Sequence, residues 1–223
     1  MSNENPFETR FEEYDAWFER FPNVFESELR AVRAVLPDGQ EIPERSVEIG
    51  VGSGRFAQAL GIPMGIEPAE GISTLARERG IQVLRGVAEA LPLPPTSFDA
   101  AFLLTSLCFI EDARTAFQEV ARILTFRGWC VIAFLPADSP FGELYCSEST
   151  QDPFFRHAIL RPRTDVIAEI SEAGLRVARA VHTLTTSPAC ANEQVENPRP
   201  GWTEGAFVVL RIQRAARRSD GGL

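Results

Sequence analysis

The hydrophobic positions divide the chain into a helical opening and a longer alternating body. Between residues 11 and 36, Phe11, Tyr14, Phe18, Phe21 and Phe25 recur at steps of three and four, the spacing that puts side chains on one face of a helix. Pro22 splits this stretch into two helices, because proline removes a backbone donor and crowds the preceding turn. Pro37-Asp38-Gly39 ends it with turn residues. From Ser46 onward, short apolar runs alternate with helical segments. Strands are expected at 46–51, 64–67, 81–84, 98–104 and 128–135, the fourth a nearly continuous apolar run of the kind buried on both faces. Helices are expected at 55–60, 71–79, 113–124 and 164–173, the second and last stopped by Gly80 and Gly174. Two more strands, 176–184 and 206–213, close the chain with a Pro-, Asn- and Gly-containing loop between them.

Strand and helix alternating in this way predict an α/β fold: a Rossmann-like, doubly wound, mostly parallel sheet of seven strands with an antiparallel edge strand. The domain expectation is an N-terminal helical lid at 1–40, the α/β domain at 41–214 and a flexible tail at 215–223.

The most informative stretch is Val47-Glu48-Ile49-Gly50-Val51-Gly52-Ser53-Gly54. A strand runs into three glycines and a helix follows. Glycine allows a left-handed turn and lets a ligand approach the backbone without a Cβ in the way. The turn lies at the carboxyl end of the first strand, where open α/β sheets bind ligands. The second strand, Met64-Gly65-Ile66-Glu67, ends in a carboxylate that can accept both hydroxyls of a ribose at once. A dinucleotide fingerprint would need a third glycine at position 55, where helix and strand pack closely, but Arg55 stands there. Glu48, two residues ahead of the first glycine, is equally out of place in a dehydrogenase strand. A nicotinamide-dependent oxidoreductase is therefore the weaker alternative.

Composition narrows the partners. Hydrophobic residues make up 44% of 223 and charged ones 24%, ordinary for a chain with a core. The net charge of −9 disfavours a phosphate backbone as partner, since such partners are gripped by clustered Lys and Arg. The one basic cluster, Arg211, Arg214, Arg217 and Arg218, reads as a solvated tail. No apolar stretch approaches the roughly 20 residues a membrane helix needs, and no signal peptide opens the chain. Cys108, Cys130, Cys146 and Cys190 form no CxxC pair, so reduced thiols, a cytoplasmic location and no metal site are expected.

Taken together, these motifs resemble the class I S-adenosylmethionine (SAM)-dependent methyltransferases, in particular the small-molecule group called type 11. Residues 47–54 resemble the family's first motif and Gly65-Ile66-Glu67-Pro68 its second. Residues 85–92 resemble the adenine-side motif, Ser97-Phe98-Asp99-Ala100 the opening of the fourth strand, and Glu119-Val120-Ala121-Arg122-Ile123-Leu124 the helix leading to the fifth. The resemblance implies that Gly50, Gly52 and Gly54 bracket the methionine part of SAM, with Glu48 supporting the turn or the methionine ammonium. It implies that Glu67 binds the ribose, with Pro68 beside the adenine, Ala88 offering its amide to the ring and Glu89 nearby. Leu104 and Thr105 would line the methyl-transfer region, and S-adenosylhomocysteine (SAH) would be the product. Tyr14-Asp15-Ala16-Trp17-Phe18 resembles a segment that covers the SAM pocket in some relatives, so Tyr14, Trp17 and Phe18 are expected to face donor or acceptor.

Three positions depart from the family's pattern. Val87 stands where an acid usually holds the adenine amino group. Cys108-Phe109 replace His-His, removing an obvious general base. Phe126-Arg127-Gly128 replace Pro-Gly-Gly at a turn. His157 and Tyr14 are the candidate catalytic groups that remain, while Arg161 and Arg163 are expected at the surface. The expected activity is methyl transfer to a small molecule; a SAM-binding regulator without catalysis is the other alternative.

Overall fold

The computed structural model describes residues 5–37, 41–148 and 152–215. Asp38 and Gly39 of the expected turn lie outside these residues, as do Arg217, Arg218 and all of the expected tail except Ala215.

The chain opens with α1 (Pro6–Thr9), α2 (Phe11–Arg20) and α3 (Pro22–Val35). The Asn5 side chain caps α1, accepting from the Phe7 amide at 3.1 Å. The break expected at Pro22 falls at Phe21, whose φ of −124° and ψ of 57° are not helical. Pro22 then opens α3, at the one helical position where a missing N–H costs nothing.

The body follows as β1 (Ser46–Ile49), α4 (Arg55–Leu60), β2 (Met64–Glu67), α5 (Glu70–Glu78), β3 (Gln82–Arg85) and β4 (Phe98–Leu104). It continues with α6 (Ala113–Ile123), β5 (Leu124–Phe134), α7 (Pro140–Glu148), α8 (Arg163–Glu172), β6 (Leu175–Thr183), β7 (Arg199–Pro200) and β8 (Phe207–Arg214). The described strands form one sheet of order β3-β2-β1-β4-β5-β8-β6-β7. β3, β2, β1, β4 and β5 pair in parallel. β8 runs antiparallel between β5 and β6, and β7 adds an antiparallel edge beyond β6. Strand order reverses between β1 and β4, which opens a crevice at the carboxyl ends of those strands.

Period-two alternation divides the core between the two faces. Along β4, Ala101 and Leu103 pack with Phe117, Val120 and Ile123 of α6. Phe102 and Leu104 pack with Val32 and Val35 of α3 and with Phe56 of α4.

Three features depart from the sequence pattern. β5 starts at Leu124, straight out of α6, so no turn forms at 126–128 and Phe126 is carried along an exposed strand end. With no proline there, every amide can pair, and Leu124 joins Phe98 before the register shifts. Helix α7 hides in a Pro- and Gly-containing stretch, but Ser139 Oγ accepts from the Gly142 amide at 3.0 Å and starts its first turn. β7, only two residues long, is too short to leave a pattern.

Charge and close approach both dock the N-terminal helices. Asp15 of α2 accepts two hydrogen bonds from Arg55 at 2.9 and 2.6 Å and one from Arg79 at 2.7 Å. Burial would raise its carboxyl pKa, but Arg55 and Arg79 outweigh that and hold it down at about 2. Glu8 of α1 caps α5, accepting from the amides of Glu70 and Gly71 at 3.1 and 2.7 Å. A Cβ on Gly71 would run into the Glu8 backbone, so glycine is what lets α1 sit this close.

Phe102 is fully buried and meets Trp129 edge-to-face at 5.5 Å. Phe102→Ala is expected to lower unfolding free energy by about 3–5 kcal/mol in urea titration. Phe126→Ser, 80% exposed, should stay within about 0.5 kcal/mol of the parent.

Candidate active site

The site is built where β1 gives way to the glycine turn. Gly50 has φ of 74°, and a Cβ there would collide with Ser106, whose hydroxyl donates to the Ile49 carbonyl at 2.8 Å. Gly52 follows at φ 54°. Glu67, at the end of β2, accepts from the Gly52 amide at 2.9 Å and from the Ala69 amide at 3.0 Å. Burial raises its pKa, and those two amides oppose the rise. Each carboxylate oxygen keeps a further lone pair for a ligand hydroxyl. Across the crevice Thr105 follows the last residue of β4 and, though not glycine, is held at φ 61°. Such strain at a strand end is typical of functional sites.

These elements enclose a cavity of about 430 Å³, within the usual range for a cofactor site. Of the residues singled out in the sequence, Gly50, Gly52, Glu67, Pro68, Ala88, Glu89, Thr105, Tyr14 and His157 line it. Glu89 also ties down the loop after β4, accepting from the Glu111 amide at 3.1 Å. Val87 is 46% exposed and presents an apolar wall.

Others lie elsewhere. Gly54 faces away from the cavity, against Ala76 and Ile81, where a Cβ would come within 2.6 Å of Ile81 Cδ1. The Glu48 carboxyl is buried beneath the turn and accepts from the Ala57 amide, and burial pushes its pKa well up. Leu104 is buried in the core, and its carbonyl accepts from Thr105 Oγ1 at 2.7 Å. Arg161 and Arg163, expected at the surface, are buried. Arg161 donates to the carbonyls of Leu107, Ile110 and Glu111, bracing the loop after β4, and Arg163 donates to those of Asp138 and Gly205. A guanidinium, with five donors in a planar fork, suits such clusters of carbonyls.

A second cavity of about 130 Å³ adjoins the first, and Tyr14, Thr105, Phe109, Pro153 and Phe154 line both. Trp17 and Phe18, expected to face donor or acceptor, line this one, with Phe56, Tyr145 and Phe155. Burial raises the Tyr14 phenol pKa well above its usual value, and nearby Cys108, Glu28 and Glu67 add to the rise. Glu28 of α3 also lines this cavity at 4% exposure, and its carboxyl makes no hydrogen bond or ion pair among the described residues. Glu28, the α1 cap Asn5 and the α1 residues Pro6 and Phe7 were not anticipated from the sequence. For Glu28 a signal existed: it lies at steps of three and four from Val24, Phe25 and Val32 on the apolar face of α3.

The residues fit SAM. Glycines leave room for a thioether chain, a carboxylate stands ready for ribose hydroxyls, and Pro68, Ile72, Val87 and Ile110 offer apolar faces for an adenine. A family model described as a methyltransferase domain matches residues 47–132. An uncharacterized protein of Methanocaldococcus jannaschii is 30% identical over 210 residues, 94% of this chain and 99% of that one. A crystal structure from Thermotoga maritima, a SAM-dependent methyltransferase described as a possible histamine N-methyltransferase, is 37% identical. It superposes with a TM-score of 0.86 over 94% of this chain and 98% of its own. The geranyl diphosphate C-methyltransferase of Streptomyces coelicolor, solved with SAH, shares the fold alone, at 13% identity and TM-score 0.61 over 85% and 78% of the two chains. The chain belongs to the SAM-dependent methyltransferases, and SAM is its cofactor. Among the described residues, no helix is long and apolar enough to cross a membrane.

Burial pushes the Glu28 carboxyl from its ordinary 4.5 up to about 8. The folded state therefore holds this proton more tightly than the unfolded chain, and the associated stability is complete below pH 4.5 and lost as pH rises toward 8. Glu28→Gln is expected to melt above the parent, by a margin that widens across that interval. Thermal melts at pH 5 and 8.5, roughly the ends of that interval, measure it; an equal margin at both would show the carboxyl to be solvated.

Proposed function

We propose that the chain transfers the methyl group of SAM, bound in the larger cavity, to a small-molecule acceptor seated in the aromatic cavity beside it. The observation that carries this reading is the shared wall: Tyr14, Thr105, Phe109, Pro153 and Phe154 border both spaces. In it, Gly50 and Gly52 admit the methionine portion and Glu67 accepts the ribose hydroxyls. Ala88 and Pro68 flank the adenine. Glu48 acts from beneath, by holding the start of α4, and Gly54 acts by letting α4 pack on α5. Residues 1–40 are the lid of the domain formed by 41–214. SAM supplies an already activated methyl on a sulfonium, so the protein's task is to orient two molecules and keep water out. Tyr14 and Thr105 stand where the two ligands meet, and Trp17 and Phe18 wall off the acceptor. His157 lines only the donor cavity and is exposed, which suits contact with SAM better than proton transfer from an acceptor.

Calorimetric titration with SAM and SAH, with NADH as control, tests the donor site. Micromolar binding of both, no binding of NADH, and at least about tenfold weaker binding by Glu67→Ala are expected, the last from loss of charge-assisted hydrogen bonds. NADH binding without SAM binding would overturn the reading. A folded chain lacking residues 1–20 should bind SAH more weakly, and unchanged affinity would remove the lid.

A further inference from the structure

Four charged side chains line the aromatic cavity: Glu13, Arg20, Glu28 and Asp152. Three are engaged. Glu13 pairs with Arg10 at 2.6 Å, Arg20 lies over the Phe21 ring at 5.2 Å, and Asp152 accepts from the Phe154 amide at 2.8 Å. Glu28 alone has no polar partner among the described residues. A buried, unpaired carboxylate is costly to keep. Around it stand Trp17, Phe18, Phe56, Tyr145 and Phe155, whose ring faces carry negative charge density. A carboxyl that burial keeps protonated ionises most readily when a cation pairs with it, so the carboxyl and the π-faces select the same thing, a cation. The same two features oppose an anion forming in the cavity, which counts against a phenol or carboxylic acid as acceptor. A cavity near 150 Å³ takes one benzene-sized ring in another protein, so about 130 Å³ suits a small aromatic or a branched aliphatic group.

We propose that the aromatic cavity binds a small primary or secondary amine as its ammonium ion, with the Glu28 carboxylate as counterion and as the base that prepares the nitrogen. Resting on the methyltransferase reading, this names the substrate class of the same site. The proton step is balanced within the pair. One N–H proton passes to a carboxylate oxygen, and the N–H electrons remain on nitrogen as the lone pair that a methyl acceptor must present. Glu28 becomes a neutral acid, which later returns its proton to water. The titratable groups facing this space are Glu13 and Tyr14 of α2, Arg20, Tyr145 of α7 and Asp152, with Cys108 beside Tyr14.

The test uses the full chain with saturating SAH and three probes of one size: 2-phenylethylamine, 2-phenylethanol and 4-ethylphenol. Binding is followed by calorimetry and by intrinsic tryptophan fluorescence, to which Trp17 contributes from the cavity wall. The amine should bind at least about tenfold more tightly than either neutral probe, as expected of a charge-assisted hydrogen bond. Glu28→Gln should lose that preference while binding SAH within about twofold of the parent, the range of ordinary context effects. Equal binding of amine and neutral probes by the parent would overturn the proposal without needing the variant to fold. So would failure of the amine to bind, or a preference that survives in Glu28→Gln. SAH is titrated separately on the same protein, so failure of the donor site would be seen by itself, leaving the amine preference to be read without it.

Discussion

Both cavities owe one wall to helices that are not part of the sheet, and those helices are held in place largely through Asp15. Its carboxylate gathers Arg55 from the start of α4 and Arg79 from just beyond α5. Arg79 in turn donates to the carbonyl of Ser53 at 2.6 Å, so the same cluster braces the glycine turn from behind. Apolar packing of Phe18 and Phe25 against Phe56 adds area, but area alone does not fix the angle of a helix. Directional, charge-assisted bonds do. Because Tyr14 is the neighbour of Asp15, the cluster also sets where the phenol stands between the two cavities.

Arg55 shows how far a sequence can be read. Its bulk ruled out the third glycine of a dinucleotide site, and that negative inference was available from spacing alone. Its positive use was not, because the partner lies forty positions earlier and nothing local pairs the two. The glycine turn, Glu67 and the mostly parallel, doubly wound sheet were legible for the opposite reason. They are set by short-range rules of turn geometry and alternation, and the ligand crevice follows from topology. The placement of Gly54, Leu104 and Glu48 outside the cavity needed coordinates, since neighbours on a strand differ by which face they meet. Arg161 and Arg163 looked like surface residues because charge usually is. Each is buried against a loop whose carbonyls face inward, and such demand for donors leaves no trace in periodicity.

The aromatic cavity gathers several residues held in unfavourable settings. Thr105 and Leu184 are held at positive φ, and Glu28 is desolvated without a polar partner among the described residues. Each departure from a locally comfortable choice borders the same space. Elsewhere the described chain mostly follows its local rules, from the Asn5 cap to the valine- and leucine-rich strands, with Thr96 the other non-glycine residue described at positive φ.

Asn5 and Pro6 border the larger cavity itself, whereas β8, antiparallel to β5, runs away from the crevice and brings Arg214 to the amino-terminal end of the parallel strands, beside Leu175. The two ends of the described fold are thus unequal as points of attachment. A label carried on Asn5 or Pro6 would border the larger cavity, whereas one on Arg214 would stand at the amino ends of the parallel strands, away from both cavities.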